Sequence, residues 1–453
     1  MPRLFGTDGI RGVANLDLKP TIAYALGRAT AHRLVPPGGS IVVGRDTRRS
    51  GDMFVAAITA GATSMGVAVT QVGVVPTPAL AFLTADGDDA AGIMVSASHN
   101  PAEDNGLKVL DAAGLKLDDA VEDDLEQLIW RTEELPGVPP SELGVVVDAR
   151  DRLNRYVTHR VGLAERIDAA GLSVVLDCAN GSACAVGARI LAASGAQVEV
   201  MNDAPDGLNI NLRCGATDPS SLAARVVAAG ADVGFALDGD ADRCIAVDAG
   251  GAIVDGDRVL GILALERLAR AAAGGDGRAA DPAVGTLVVS VLSNGGLEQA
   301  IRRAGGTVVR TPVGDKYILE GMQVAGAGLG GEKSGHVIVG EHTTSGDGLV
   351  TALEVLRVMT QAGRPLAELA AQIPLLPQEQ RTVPVRHREQ WEGDPALRQA
   401  IQAAEGRLGD GGRVLVRPSG TEPALRVMVE GLDADVVREQ ADAIAARAAE
   451  RLN

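Results

Sequence analysis

Three stretches of the chain repeat one pattern. "IVVGRDTRRSGDMFVAAITAGATSMGVAVTQVG" begins at Ile41, "VVLDCANGSACAVGARILAASGAQVEVMN" at Val174, and "LVVSVLSNGGLEQAIRRAGGTVVRTPVG" at Leu287. Each reads as a β-branched strand, a polar loop, an Ala-rich helix, a glycine break and a second strand. A strand that returns to its own sheet through a helix commits the chain to α/β layers. Using the unit three times predicts three similar α/β domains. After about residue 371 the pattern changes. "RTVPVR", "GRVLVRPSG" and "ALRVMVEG" read as strands, while "DPALRQAIQAAEGR" and "ADVVREQADAIAARAAERL" read as helices. The expected architecture is therefore three α/β domains with mixed sheets around a central cleft, plus a smaller C-terminal α+β domain. The expected spans are 1–150, 151–250, 251–370 and 371–453, and 453 residues are too many for one ordinary core.

Composition sets limits on partners. Lys plus Arg (42) against Asp plus Glu (59) leaves a net charge of −17. Such a surface repels nucleic acid and anionic lipid at long range. An anionic substrate would need a local basic pocket. The uncharged run Met53–Ala85 is broken by Gly66, Gly73, Pro76 and Pro78, so it reads as a helix, a strand and a short helix rather than a membrane span. "TEELPGVPPSEL" (Thr132–Leu143) reads as a connector and "AAAGGDGRAADPA" (Ala271–Ala283) as an exposed loop. Cys178, Cys184, Cys214 and Cys244 show no C-x-x-C spacing and are expected to be reduced. "MPRLFGTDGIRG" lacks an apolar h-region, which predicts a cytoplasmic protein.

The chemistry concentrates in five short motifs. "DGDADR" (Asp238–Arg243) follows the apolar "ADVGFAL". Read as an extended segment, it puts Asp238, Asp240 and Asp242 on one side. Three carboxylates so close call for a cation, and oxygen-only ligands favour Mg²⁺. An acidic turn is the bland alternative. An EF-hand is excluded, because its sixth and twelfth places hold Arg243 and Ala249. "SASHNPAEDNG" (Ser96–Gly106) ends another apolar run. It reads either as a turn or as the seat of a reactive serine, Ser98. No G-x-S-x-G elbow surrounds Ser98, and extended neighbours point apart, so a Ser98–His99 hydrolase pair is not expected. "RPSGTEPALR" offers Arg417, Ser419, Gly420, Thr421 and Arg426 as an anion site. "GGEKSGH" offers Glu332 and Ser334 to a polyhydroxy ligand, with Lys333 as charge complement to a phosphate. Arg11 in "FGTDGIRG" and Lys108 are the nearest basic residues to a reacting centre, and a lysine of lowered pKa could move a proton. "GAGLGG" (Gly326–Gly331) matches a dinucleotide fingerprint, but no helix pattern follows it.

Taken in order, "FGTDGIRG", "SASHNPAEDNGLK", "DGDADR", "GGEKSGH" and "RPSGTEP" resemble the motifs of the α-D-phosphohexomutase family over nearly the whole chain. "HTTSGDGLVTAL" and Asp315 in "TPVGDKYI" are similar to its amino-sugar branch. The resemblance implies that Ser98 is the phosphoserine, and that Asp238, Asp240, Asp242 and a phosphoserine oxygen hold one Mg²⁺. It implies that Glu332, Ser334 and Lys333 contact the sugar and Arg243 shapes the site, and that the Arg417–Thr421 loop with Arg426 holds the non-reacting phosphate. Arg11, Lys108 and His99 would assist at the reacting oxygen. The implied reaction interconverts glucosamine 6-phosphate and glucosamine 1-phosphate through glucosamine 1,6-bisphosphate. The implied partner is a small sugar phosphate, with no nucleic acid or membrane, and a homodimer is compatible with it. A glucose or mannose phosphate mutase and a Mg²⁺-dependent sugar phosphatase stay open as alternatives.

Overall fold

A computed structural model describes residues 3–6, 8–274, 281–419 and 423–453. The chain divides into two compact units, Met1–Val291 with Ala304–Gln372, and Leu292–Arg303 with Ile373–Asn453.

The first unit carries three sheets built on one plan. In the first sheet, Ser40–Arg45 runs parallel to Ala68–Val74 on one side and to Ala91–Val95 on the other. Ala91–Val95 then pairs antiparallel with Asp104–Asp111. In the second, Ser173–Asp177 lies between Gln197–Met201 and Val233–Leu237, both parallel, and Val233–Leu237 pairs antiparallel with Cys244–Asp248. In the third, Thr286–Ser290 lies between Thr307–Thr311 and Leu329–Gly331, and Leu329–Gly331 turns back onto Val337–Val339. Each sheet thus has three parallel strands and a fourth, reversed one, so all three are mixed. The first sheet adds Phe5–Gly6 and Gly9–Val13 at one edge and Val146–Asp148 at the other. The central strands are buried along almost their whole length, as strands covered on both faces must be. Their cores are aliphatic: Ile41, Val43, Ile93 and Val95 in the first, Val175, Ala236 and Val247 in the second. Each Val or Ile among them, fully buried, contributes about 1.5–3 kcal/mol.

The uncharged run resolves into helix Gly51–Thr63, strand Ala68–Val74 and helix Thr77–Ala85, as its glycines and prolines predict. Within "AAAGGDGRAADPA" the exposed-loop expectation is corrected at both ends. Ala271–Gly274 closes helix Gly256–Gly274 and Pro282–Gly285 forms a helical turn capped by Asp281; residues 275–280 lie outside the described residues.

The second unit is an antiparallel sheet with Ala424–Glu430 between Gln378–Pro384 and Arg413–Pro418. Helices Pro395–Leu408 and Ala434–Arg451 pack on it through Leu397, Val437 and Ile444. Helix Gly295–Arg303 belongs here rather than with the strand before it. Buried Glu430 accepts hydrogen bonds from Gly295 N (3.0 Å) and Arg413 Nε (2.6 Å), and Asn294 exchanges two with the backbone of Leu376.

Candidate active site

The three sheets place their chemistry at one equivalent turn, the hairpin between the third parallel strand and the reversed fourth. In the first sheet that turn holds Ser98, in the second Asp238–Arg243, and in the third Glu332–His336. These turns lie at the carboxyl ends of the parallel strands, where α/β sheets present ligand sites.

Ser98 is buried and sits in the left-handed region, with φ of 51°. A non-glycine residue there stores strain that its surroundings must hold. They do so through the backbone. Ser98 N donates to Ser96 Oγ (2.9 Å), and Ser98 O accepts from Arg48 Nη2 and Asn211 Nδ2, each at 2.9 Å. The expectation that Ser98 and His99 point apart is corrected here. The left-handed turn brings Ser98 Oγ to 3.3 Å from His99 Nδ1. Ser98 Oγ donates to Asp238 Oδ2 at 2.6 Å.

The extended reading of "DGDADR" is also corrected. The segment is a turn, with Ala241 at φ of 58°, yet carboxylate oxygens of Asp238, Asp240 and Asp242 lie within 4.8 Å of one another. Gly239 is required by close approach, because a Cβ there would stand 2.7 Å from Ser98 O. Burial, then the charges of Asp242 and Asp240, push the Asp238 carboxyl well up. Asp240 Oδ1 and Asp242 Oδ1 are buried without a hydrogen-bond donor. Crowded, desolvated oxygens with open lone pairs fit a hard divalent cation.

Lys108 is buried, with its ammonium 2.9 Å from Asp240, 3.2 Å from Asp8 and 3.7 Å from Asp242. Burial alone would lower its pKa, but Asp240, Asp8 and Asp242 outweigh it and raise it. The expectation of a lysine that moves protons through a lowered pKa is therefore corrected: Lys108 stays a cation. His99 goes the other way. Burial, with Arg243 and Arg11 nearby, lowers it to about 4, so it is neutral at pH 7. Arg11 pairs with Asp8 and reaches Asn100 Oδ1 at 3.4 Å. The Arg243 guanidinium stands 3.9 Å from Asp238 and 3.8 Å from Asp242.

The third turn is fastened to the second. Cys244 N donates to Gly335 O at 3.0 Å, and Arg243 and His336 form an antiparallel bridge. Gly335, at φ of 92°, leaves no room for a Cβ, which would lie 2.6 Å from Cys244 O. Glu332 Oε1 accepts from Gly314 N (3.0 Å), while Ser334 Oγ is shielded and without a partner. The Lys333 carbonyl accepts from Gly256 N at the start of helix Gly256–Gly274.

In the second unit, Arg417 and Arg426 face each other across adjacent strands. Ser419 is buried, its N–H donating to Ala424 O at 2.8 Å and its carbonyl accepting from Arg388. Gly420 and Thr421 lie outside the described residues.

Several site residues escaped the sequence reading. Arg48 is buried, paired with Asp46 at 2.9 Å, and donates to the carbonyls of Ser98, Asn100, Pro101 and Asp104. Thr77 Oγ1 donates to Asp240 Oδ2 at 2.6 Å. Asp8 takes Arg11, Lys108 and Lys116 together, and Lys116 passes on to Asp315 in the third domain. The one signal in the sequence was the polar "RDTR" directly after a buried strand.

Comparison with known proteins agrees with this geometry. Residues 2–136, 154–251, 255–375 and 382–447 match, in turn, the phosphoglucomutase/phosphomannomutase alpha/beta/alpha domains I, II and III and the C-terminal domain. The chain is 51% identical to the phosphoglucosamine mutase of Moorella thermoacetica over 436 residues, covering 96% of each. It is 48% identical to that of Rhodococcus opacus over 450 residues, covering 98% of this chain and 99% of the other. A phosphoglucomutase/phosphomannomutase family protein of Burkholderia thailandensis superposes with a TM-score of 0.82 at 26% identity, covering 100% of this chain and 98% of that one. The N-acetylphosphoglucosamine mutase of Aspergillus fumigatus, solved with GlcNAc-6P and magnesium, shares the fold at a TM-score of 0.74 and 20% identity, covering 99% of this chain and 96% of that one. Four matched domains in order, with Ser98, the three aspartates and the Glu332–His336 turn at equivalent hairpins, make this chain a member of the phosphoglucomutase/phosphomannomutase family, the α-D-phosphohexomutases.

Proposed function

We propose that the chain is a phosphoglucosamine mutase, an isomerase that interconverts glucosamine 6-phosphate and glucosamine 1-phosphate. The observation that carries the reading is full-length identity of about half to phosphoglucosamine mutases. The proposed domains are 1–150 with the phosphoserine, 151–250 with the metal turn, 251–370 with the sugar turn, and 371–453 with the phosphate loop.

Ser98 carries the phosphoryl group. In the first half-reaction the sugar O1 gives up its proton and forms a bond to phosphorus, the bond from phosphorus to Ser98 Oγ breaks, and Oγ takes up a proton. Glucosamine 1,6-bisphosphate is the product of that step. In the second, Oγ loses its proton and attacks the 6-phosphate, and the sugar O6 is released and protonated. Neutral His99 at 3.3 Å and the Asp238 carboxyl at 2.6 Å from Oγ are the groups in reach of that proton. Lys108 and Arg243 stay charged and, with Arg11 beside them, offset the charge of the transferring phosphoryl group. Asp238, Asp240, Asp242 and Ser98 would hold Mg²⁺, which supplies electrostatic stabilisation of that same group. Glu332 and the unpartnered Ser334 Oγ take sugar hydroxyls, with Lys333 beside them. Arg417, Ser419, Gly420, Thr421 and Arg426 grip the phosphate that is not reacting. A cytoplasmic enzyme and a homodimer are part of the proposal. Among the described residues no helix is long and apolar enough to cross a membrane.

The test is kcat/KM for glucosamine 6-phosphate against glucose and mannose phosphates, with Mg²⁺ and a trace of bisphosphate. A strong preference for the amino sugar is expected. A preference for glucose or mannose phosphate would move the chain to the sibling activity within the same family.

A further inference from the structure

A cavity of about 220 Å³ lies away from the catalytic turns, where the end of helix Leu153–Ala164 meets helices Gly256–Gly274 and Gly348–Ala362. Four arginines line it, Arg166, Arg267, Arg270 and Arg357, against two carboxylates, Glu341 and Glu354. In a chain of net charge −17 that balance is reversed.

The carboxylates do not neutralise the arginines evenly. Glu354 and the neighbouring Glu266 are both spent on Arg357, at 2.9 and 3.0 Å, and Glu354 also faces His342 at 3.6 Å. Arg270 reaches Glu266 only at 3.8 Å. Arg166 has no side-chain hydrogen bond or ion pair among the described residues. Arg267 is 3% exposed, yet among the described residues its one ionic contact is a 3.6 Å approach to solvent-exposed Glu341, and its Nη1 has no hydrogen-bond partner there. Burial, opposed only in part by Glu341 and Glu354, lowers its pKa from the usual arginine value. A buried guanidinium short of countercharge is costly unless an anion completes it.

We propose that this cavity is a second anion site, which takes a small phosphomonoester. Arg267 at its wall and Arg166 and Arg270 at its rim leave more positive charge than a single carboxylate would balance, and planar guanidinium groups match phosphate oxygens in pairs. Leu163, Ile167, Val350 and Leu353 add an apolar wall for a short carbon skeleton. The volume is below the roughly 300 Å³ at which pockets for drug-sized ligands begin, which excludes a dinucleotide.

Equilibrium dialysis of the full chain with Mg²⁺ and labelled glycerol 3-phosphate tests this. The catalytic phosphate loop contributes equally in every variant, so differences between them report the cavity. The wild-type protein is expected to bind one more equivalent than Arg267→Met. Arg166→Ser with Arg270→Ser is expected to weaken that equivalent at least tenfold and leave kcat/KM unchanged. Inorganic phosphate separates two sources of the same chemistry: equal competition makes the phosphate alone the recognised group, and weaker competition shows that the skeleton contributes. Identical isotherms for the wild type and the double rim variant would overturn the proposal. The rim variant decides alone if Arg267→Met does not fold.

Discussion

At the scale of single residues, the site depends on one serine in a strained conformation and one arginine that holds it. Ser98→Ala removes the proposed phosphoryl carrier without touching the backbone bonds that keep the turn. Turnover is expected to fall by roughly 10³-fold or more, with the melting temperature almost unchanged. Steady-state kinetics beside a thermal melt checks both halves, and retention of most activity would end the phosphoserine assignment. Arg48→Met is different. It leaves Asp46 buried and unpaired and releases four carbonyls of the Ser98 turn. A loss of about 3–5 kcal/mol is expected in urea unfolding. Arg48→Lys keeps the charge but not the planar fork, so it should recover only part of that stability.

At the scale of elements, helix Gly348–Ala362 joins the domains through polar contacts made along its length. Asp347 caps it by accepting from Leu349 N (3.0 Å) and Val350 N (3.1 Å), and its other oxygen accepts from buried Tyr156 and Arg160. Further along, Glu354 is buried against His342 and Arg357. Burial would raise its carboxyl, but His342 and Arg357 hold it lower, at about 2. A folded pKa below the unfolded value near 4.5 gives stability that is complete above about pH 4.5 and is lost as pH falls toward 2. The span corresponds to about 3 kcal/mol. Urea unfolding between pH 5 and 2.5 should show Glu354→Gln with a shallower acid limb than the wild type. Parallel limbs would show that Glu354 does not carry that linkage.

At the scale of the whole molecule, the chain divides into two compact units, and the smaller takes a helix from the middle of the sequence. Calorimetry is expected to resolve two transitions, since a chain of this size with separate cores departs from two-state unfolding. Glu430→Gln removes the buried charge beside Arg413 and replaces one of the two oxygens that accept from Gly295, Gln378 and Arg413 with an NH2 donor. A cost of about 2 kcal/mol should lower the transition of the smaller unit by roughly 10 °C and leave the larger one in place. A uniform shift of both transitions would contradict the division.

Much of this was legible from residue order alone. The β-branched runs with helices between them determined three mixed α/β sheets, because period and composition decide which faces must be buried. The ordered motifs determined the family, and the acidic triplet marked the candidate metal turn, because three carboxylates within five residues are chemically conspicuous in any fold. What residue order could not determine is which turns coincide. Only the tertiary structure puts the three hairpins at one equivalent place, bends Ser98 into the left-handed region so that His99 reaches it, and surrounds Lys108 with Asp8, Asp240 and Asp242. A pKa and a backbone dihedral are set by neighbours far apart in sequence, 132 residues in the case of Lys108 and Asp240. For the same reason the sequence alone did not single out Arg48 or Lys116.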